Sequence, residues 1–238
     1  MNTICPPEPG AAQVRELFDS LASRYDLFNR LTSMGLDQSW RRRAVEGIAP
    51  GMRVLDLGCG TGDLALACAV KAGPRGSVLG IDFSGSMLEI ARRRSKPDWI
   101  NLRFKIANAE DLPLAEEPFD AVVSAFVLRN LYGRLDRVLA GVRGSLRPFG
   151  HISFLDITEP EPAWLKQAWR LYMRTAVRLC GRALFGGDYP ETYVTDSAAR
   201  FFKPAEMAAK LKERGFGAVR VSNLFLGIIT LYEAENSR

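Results

Sequence analysis

The sequence contains little of what many metal-dependent and thiol-dependent enzymes need. It has four cysteines and one histidine, and no apolar run approaches the roughly 18 residues that span a membrane. Cys5, Cys59, Cys68 and Cys180 share no C-x-x-C spacing, so the sequence predicts neither a zinc site nor a disulfide framework. Because His151 is the only histidine, a histidine-based metal site or a Cys-His nucleophile pair is not expected. These absences exclude many hydrolases, and no metal is predicted.

Length and composition indicate one ordinary globular domain. The 238 residues are enough to bury a substantial core, and 47% hydrophobic with 25% charged residues is typical of soluble proteins. Met1–Gly10 lacks a basic start, so no signal peptide is expected there. We therefore expect a single cytoplasmic domain over residues 1–238.

The formal net charge of +5 is unevenly distributed. The segment from Glu161 to Arg182 carries five basic residues and one acidic residue, and thus +4 of this total. The basic residues recur at every fourth position: Lys166, Arg170, Arg174, Arg178 and Arg182. A basic protein can bind nucleic acid, but nothing here resembles a helix with interleaved base contacts. Nucleic acid is therefore not an expected partner.

The same segment lies in a predicted helical insertion over residues 161–200. One of its sides is expected to be apolar: Trp164, Ala168, Leu171, Tyr172, Thr175 and Leu179. In one interpretation the helix packs this side on the domain and leaves a solvated basic side. In the other, it attaches to an anionic membrane surface or covers a greasy substrate, as a basic amphipathic helix with tryptophans would.

Strand and helix signals alternate from Arg53 onward, which predicts an α/β fold with a parallel, doubly wound sheet and ligands at the carboxyl ends of its strands. The predicted strands are Val54–Leu57, Val78–Asp82, Leu102–Ile106, Ala121–Phe126 and His151–Leu155, followed by a hairpin of Val219–Leu224 and Ile228–Glu233. Helices are predicted from Asp63, over Ser84–Ser95, from Asn130 to about Leu146, from about Ala163, and over Pro204–Arg214.

A helical lid is predicted before the first core strand, over residues 11–48. Its apolar residues fall at helical spacing and would form one face: Phe18, Leu21, Ala22, Tyr25, Phe28 and Leu31. A break is expected near Ser33-Met34-Gly35. Arg41–Arg43 is interpreted as a solvated face rather than an anion site. Because the lid precedes the first strand, it is placed to cover the strand ends.

The first predicted strand runs into a glycine-rich turn, the strongest ligand signal in the chain. Glycines at such a turn let backbone amides approach a polar ligand, and Gly58, Gly60 and Gly62 follow Asp56 here. A dinucleotide fingerprint would need its third glycine at position 63, but Asp63 would repel a pyrophosphate. Asp56 beside exposed amides instead suits a zwitterion, such as the amino-acid end of S-adenosylmethionine (SAM).

A second acid supports a nucleotide-like ligand. Asp82 ends the next predicted strand, where it can accept hydrogen bonds from a ribose diol. That acid alone does not separate SAM from a dinucleotide. A tight turn without any ligand is the remaining alternative for the glycine run.

Ordered motifs along the chain resemble a known family. The glycine turn is similar to motif I of class I SAM-dependent methyltransferases. Further segments resemble the menaquinone and ubiquinone C-methyltransferases: Phe18–Asn29, Asn108–Pro113, Phe126–Asn130, Ser197–Phe201 and Asn223–Ile228. The resemblance implies a seven-stranded sheet and the transfer of a methyl group from SAM to a ring carbon of a polyprenylated hydroquinone.

The resemblance also implies SAM contacts in addition to Asp56, Gly58 and Gly60. It places Thr61 in the glycine turn, Asp82 on the ribose, and both Asn108 and Ala109 near the adenine: these positions match the family's motifs one by one. Met87 would pack on the adenine face, and a core methionine is the alternative for it.

For the acceptor, we hypothesise that Arg129 stabilises the developing phenolate, directly or through a water that accepts the proton, and that Asn130 orients it. An ion pair at a strand end is the alternative for Arg129. Candidates for the ring pocket lie on the lid and on a later helix: Tyr25, Asp26, Asn29, Ser197 and Arg200. For Tyr25, plain core packing is the alternative.

Other functions stay open at this point. The chain could methylate another hydrophobic small molecule, or serve as a non-catalytic SAM-binding accessory subunit of a quinone-biosynthetic complex. A NAD-linked oxidoreductase is disfavoured by Asp63. The expected partners are a polyprenylated quinol and an anionic membrane surface at the inner face of the membrane. Naphthoquinol versus benzoquinol, and a homo-oligomeric state, are left undecided.

Overall fold

The computed structural model describes residues 10–96, 100–112, 117–186 and 190–237. The expectations for the first nine residues, including Cys5, lie outside this part of the chain. The same holds for residues 187–189 of the predicted insertion and for the last residue of the predicted domain.

One sheet forms the centre of the fold, and seven strands belong to it within the described residues. They are β1 Arg53–Leu57, β2 Ser77–Asp82, β3 Leu102–Ile106, β4 Phe119–Ala125, β5 Leu146–Ile157, β6 Phe216–Phe225 and β7 Ile229–Asn236. Their spatial order is β3-β2-β1-β4-β5-β7-β6. Strands β1 to β5 pair in parallel, whereas β7 runs antiparallel to both β5 and β6. The mostly parallel α/β sheet and the closing hairpin are thus confirmed.

Helices cover both faces of the sheet and its carboxyl edge. They are α1 Ala11–Leu21, α2 Tyr25–Thr32, α3 Asp37–Ala44, α4 Asp63–Ala72, α5 Gly85–Arg94, α6 Leu135–Ser145, α7 Ala163–Tyr172, α8 Arg178–Phe185, α9 Tyr193–Arg200 and α10 Pro204–Glu213. Short 3₁₀ segments span Ala22–Arg24, Ala109–Asp111 and Leu128–Arg134, and a π-helical segment, Met173–Val177, joins α7 to α8.

The sheet is buried on both faces, which explains its nearly continuous apolar strands. On one side Leu139 of α6 and Met207 of α10 pack on Phe154, and on the other Leu64 of α4 and Leu88 of α5 complete a second core. From β1 the chain builds the sheet first in one direction, through β2 and β3, and then in the other, through β4 and β5. The strand order therefore reverses between β1 and β4. Ligands of doubly wound sheets bind above such a switch point, so the carboxyl ends of β1 and β4 are the place to look.

The lid and the insertion pack against each other through a third apolar cluster. Phe28 of α2 lies among Trp169, Met173, Val177 and Ala198. The hydroxyl of Tyr172 also donates to the backbone oxygen of Thr32 at 2.7 Å. We give the name helical cap to two segments: α2 with the turn that follows it, and α7 and α8 with the π-helical segment between them. No helix in the described ranges is both long and apolar enough to cross a membrane.

The apolar side predicted for the insertion is mostly exposed, so the interpretation that this side packs on the domain was wrong. Trp164, Leu171 and Leu179 are 70%, 63% and 72% exposed, while Leu165 and Trp169 are buried and begin the packed side. Two apolar series run along this helix, and the packed one repeats every fourth residue through the π-helical segment. The wider π turn keeps those residues in line, and they are the ones that meet Phe28 and Ala198. Leu31 on the lid is likewise 53% exposed, so it does not belong to the packed face.

The interpretation of Arg41–Arg43 as a solvated face was wrong for Arg41. Its side chain is only 12% exposed, and its Nε lies 3.6 Å from an oxygen of Asp63 and 3.9 Å from one of Asp37. The guanidinium also stacks 5.0 Å from the centroid of the Phe126 ring. Arg41 turns inward because two carboxylates with little access to water need a cation.

Burial predicts a clear contrast between two leucines in helices. Leu139→Ala should lower the free energy of unfolding by about 2–5 kcal/mol because it opens a cavity in the main core. Leu171→Ala, on an exposed helical position, should change it by less than about 0.5 kcal/mol. Urea denaturation followed by circular dichroism measures both, and equal losses would contradict the described packing.

Candidate active site

Two cavities adjoin each other above the carboxyl ends of β1 and β4. The first has a volume of about 400 Å³ and is lined by the glycine turn, Asp82 and the loop after β3. The second, of about 190 Å³, lies under the helical cap. Phe18, Tyr25 and Phe126 line both cavities, so aromatic side chains form the boundary between them. Two small molecules bound in these cavities would meet at that boundary.

The glycine turn is a backbone shape that side chains would disturb. Gly58, Gly60 and Gly62 have φ angles of +68°, +52° and +89°, in the left-handed region that favours glycine. A Cβ on Gly58 would lie 2.6 Å from a methyl carbon of Val127, so the turn approaches the loop after β4 closely. Gly60, in contrast, faces open space on the first cavity.

Asp56 is the strongest sign of a cationic ligand. It lies at the end of β1, is 1% exposed and lines the first cavity. Neither of its carboxylate oxygens makes a hydrogen bond of normal geometry within the described residues. Burial raises its pKa to about 7, although Arg41 lowers it. An ammonium group would supply the missing partner, so the site fits the amino-acid end of SAM.

Asp63 differs from Asp56 although it lies at the same turn. Burial raises its pKa, but Arg41 and Arg94 lower it below its usual value. Its carboxylate therefore stays ionised at the start of α4, where a dinucleotide would place a pyrophosphate. This geometry agrees with the spacing argument against a dinucleotide.

Asp82 holds the glycine turn in place in addition to its predicted role. Its two oxygens accept hydrogen bonds from the backbone amides of Gly60 and Ser84, each at 2.8 Å. Burial raises its pKa against these hydrogen bonds. Each carboxylate oxygen has a further lone pair, and the side chain lines the first cavity, so it can still accept from a ribose. Ribose binding stays a prediction.

The residues predicted near the adenine also line the first cavity. Met87 is buried there, and Asn108 and Ala109 lie at the short 3₁₀ segment after β3. The side-chain oxygen of Asn108 accepts from the amide of Glu110 at 3.1 Å, which orders that segment. Phe83 lines the same cavity and carried no motif in the sequence.

The lid is attached to the walls of the first cavity by polar contacts. Thr61 donates its hydroxyl to Asp26 at 2.6 Å, and Arg94 donates to the other oxygen of Asp26 at 2.9 Å. Ser84 similarly donates its hydroxyl to Asp19 on α1 at 2.5 Å. Asp26 is therefore placed beside the glycine turn and not among the residues that line the second cavity. Its role in substrate binding stays a prediction.

The second cavity is mostly apolar and aromatic. Tyr25 and Asn29 line it as predicted candidates, together with Trp169, Tyr193 and Ile228 from other elements. Ser197 and Arg200 of α9 are not on its wall: Ser197 is buried and donates to the backbone oxygen of Val194 at 3.1 Å. Tyr193 was not predicted, because nothing in its local sequence distinguishes it from a packing tyrosine.

Arg129 lies on the wall of the second cavity and forms the ion pair that was its alternative interpretation. Its Nη1 donates to Asp156 at 2.8 Å and to the backbone oxygen of Phe126 at 2.6 Å, and its amide donates to Asp156 at 3.0 Å. Burial lowers its pKa, but the facing carboxylate of Asp156 raises it further, so the guanidinium stays charged. The ion pair does not exclude a catalytic role, since the side chain still borders the cavity.

Asn130 faces the other cavity. Its side chain lines the first cavity, and its Oδ1 is buried without a hydrogen bond among the described residues. Arg129 and Asn130 are consecutive in the chain, but they line different cavities. Phe126, in the same loop, has a φ of +66°, an unfavourable angle for a bulky residue that is common at functional sites.

Comparisons with known proteins agree with this geometry. The model of the ubiE/COQ5 methyltransferase family matches residues 8–235. The ubiquinone/menaquinone biosynthesis C-methyltransferase UbiE of Geotalea daltonii is 35% identical over 229 residues, which cover 94% of this chain and 96% of that protein. The demethylmenaquinone methyltransferase of Thermus thermophilus is 36% identical, over 92% and 99% of the two chains.

Solved structures show the same fold at lower identity. The magnesium protoporphyrin IX methyltransferase of Synechocystis, crystallised with bound SAH, aligns with a TM-score of 0.66 at 19% identity. The alignment covers 96% of this chain and all of that one. The class I methyltransferase fold is thus confirmed.

SAM affinity should depend on the charge of Asp56. With a pKa of about 7, only roughly 3% of this carboxyl is ionised near pH 5.5, so SAM should bind roughly 30-fold more weakly there than near pH 8. Asp56→Asn should bind weakly at both values, whereas Asp111→Asn, at an exposed ion pair, should behave like the wild type. Titration calorimetry measures this. Equal wild-type affinities at the two pH values would contradict the assignment.

The same pKa predicts the stability of the ligand-free protein. Because the folded value of about 7 exceeds the ordinary 3.8, the unfolded chain releases this proton first. The contribution of Asp56 to stability is therefore lost as pH rises between these values. Asp56→Asn should remove this part of the pH dependence, which thermal unfolding at a series of pH values would detect.

Proposed function

The chain belongs to the ubiE/COQ5 methyltransferase family of SAM-dependent enzymes, and we propose that it methylates a ring carbon of a polyprenylated hydroquinone in quinone biosynthesis. The observation that carries this proposal is the pair of adjoining cavities. One offers an unpaired acid to a cationic methyl donor, and the other offers an apolar, aromatic wall with a buried guanidinium to the acceptor.

The donor side follows from the first cavity. Asp56 would pair with the ammonium group of SAM, and the amides around Gly60 would face its carboxylate. Bound SAM supplies an electrophilic methyl group: the ring carbon provides the electron pair of the new C–C bond, the sulfur keeps the pair of the broken bond, and the ring hydrogen leaves as a proton.

The acceptor side needs a ring made electron-rich by the ionisation of a neighbouring hydroxyl. Arg129 would stabilise the phenolate oxygen at the wall of the second cavity, with Asp156 holding the guanidinium in place. Asn130 would orient the reacting groups from the other side of the boundary. Since little covalent help is required, positioning can supply most of the rate, on the order of 7–11 kcal/mol.

The helical cap supports membrane contact as part of this proposal. Six large apolar side chains are exposed on the lid and the insertion: Leu27, Leu31, Met34, Trp164, Leu171 and Leu179. Met34 also lines the second cavity, so the exposed apolar surface borders the proposed acceptor site. A polyprenyl tail could then remain in the bilayer at the inner face of the membrane while its ring enters the cavity.

Electrostatic attraction contributes less than the sequence suggested. Lys166 and Arg170 both pair with Glu159, and Arg178 and Arg182 both pair with Glu191. Arg174 is exposed and has no ion pair within the described ranges. Apolar burial is therefore the larger contribution to membrane binding that we propose, at roughly 1.5–3 kcal/mol for each fully inserted side chain.

Membrane binding can be measured with sedimented vesicles that contain phosphatidylglycerol. The variant Trp164→Ala/Leu171→Ala/Leu179→Ala should lose most binding because it removes the exposed apolar side chains of the insertion. The control Val70→Ala/Phe149→Ala/Val221→Ala removes three exposed side chains outside the cap and should bind like the wild type. Equal binding of both variants would reject the cap as the contact surface.

Arg129 calls for a test that separates chemistry from folding. A single Arg129→Ala change would leave Asp156 buried and uncompensated, at a cost of about 3–5 kcal/mol. We therefore compare the wild type with Arg129→Met/Asp156→Asn, which removes both charges of the buried pair together. The double variant should lose turnover on the order of 10²-fold or more relative to the wild type, with SAM affinity changed less than about threefold.

The measurement is label transfer from SAM to short-chain prenylated naphthoquinols and benzoquinols, with SAM affinity from calorimetry. Equal turnover in the double variant and the wild type would leave Arg129 without a catalytic role. A wild-type protein that binds SAM but methylates neither quinol class would reject the proposed function and favour an accessory subunit or another acceptor.

A further inference from the structure

Tyr193 is the first residue of α9 and lies on the wall of the second cavity. Its ring packs edge-on against Phe18 at 6.2 Å between centroids, and Phe18 belongs to the boundary with the first cavity. Its hydroxyl oxygen is buried and makes no hydrogen bond in the described part of the chain. A phenylalanine would provide the same ring contact, so packing does not account for the hydroxyl.

Another tyrosine on the same wall shows the contrast. Tyr172 also lines the second cavity, but its hydroxyl donates to the backbone oxygen of Thr32 at 2.7 Å. A buried hydroxyl without a partner destabilises the folded protein. A cavity wall is where such a cost can be recovered, because a ligand can bring the missing acceptor.

The surroundings of Tyr193 indicate which acceptor it would meet. Arg129 borders the same cavity and interacts electrostatically with Tyr193, as does Tyr25. All three side chains line the second cavity. An oxygen atom that carries negative charge beside Arg129 would therefore share this cavity with a second donor, the hydroxyl of Tyr193.

We propose that Tyr193 donates a hydrogen bond to the ring oxygen of the hydroquinone that ionises during methylation, beside Arg129. The inference rests on the proposed function, and it adds a residue for which no family motif gave a role. Tyr193 keeps its own proton throughout, and the proton of the ring hydroxyl passes to water. The hydrogen bond strengthens as charge builds up on the oxygen, so its effect falls on turnover.

The acid-base behaviour of Tyr193 agrees with a donor. Burial raises its pKa to about 12, although Arg129 lowers it. The hydroxyl is therefore protonated at neutral pH and does not act as the proton acceptor.

Tyr193→Phe removes only this hydroxyl, and Tyr132→Phe is the matched control on an exposed ring outside both cavities. With a short-chain prenylated hydroquinone, kcat of Tyr193→Phe should fall on the order of 10²-fold, as when one oxyanion donor is removed. The rising limb of its pH-rate profile should move to higher pH because the ring hydroxyl ionises with less help. Its Tm should equal or exceed that of the wild type, since an unpartnered buried hydroxyl is lost.

Two further readouts separate this inference from a structural role and from the proposed function. SAM affinity should stay within about twofold of the wild type, while the affinity for the oxidised prenylated quinone, followed by tryptophan fluorescence, should change only a few-fold. Turnover and a pH profile like those of Tyr132→Phe would overturn the inference. A lower Tm or a weaker SAM affinity that accompanies the loss of turnover would overturn it too. A wild type without activity on any quinol would instead reject the proposed function.

Discussion

The buried ion pair between Arg129 and Asp156 holds together the loop on which both cavities depend. Asp156 lies near the end of β5, and its carboxylate accepts from both the side chain and the amide of Arg129. The guanidinium also binds the backbone oxygen of Phe126, whose amide donates to Leu155 at 2.7 Å. These contacts hold Phe126 in an unfavourable backbone conformation, with its ring at the boundary. The guanidinium is therefore held in one position at the wall of the second cavity.

The charged side chains around the first cavity favour a cationic ligand. Asp56, Asp63 and Asp82 converge on the first cavity, and Arg41 is the cation that approaches two of them. Arg41 and Arg94 keep Asp63 ionised, whereas Asp56 is left with a pKa of about 7. A ligand with positive charge relieves this imbalance, but a pyrophosphate would worsen it. The cavity thus favours a sulfonium with an ammonium group over a dinucleotide, independently of the glycine spacing.

The sequence predicted the sheet, the helices before the first strand, the hairpin and many residues that line the first cavity, because those features depend on local patterns. Strand periodicity and the D-x-G-x-G-x-G run need only a few neighbouring residues. The packed side of the insertion could not be predicted because two apolar series run along that helix, and the position of Phe28 determines which one packs. The partner of Thr61 could not be predicted either, since Asp26 lies 35 residues away on the lid. The inward position of Arg41 could not be predicted for the same reason, since it depends on the carboxylate of Asp63.

The two halves of the site differ in how much a sequence can reveal of them. The first cavity is lined mainly by one strand-turn-helix unit and the neighbouring strand end, so its residues keep fixed spacings. The second cavity is assembled from α1, α2, the insertion and the closing hairpin, which are distant in the chain. Its residues are mostly aromatic or aliphatic, and such residues also fill ordinary cores. A cavity of this kind therefore becomes visible only once the fold has brought its walls together.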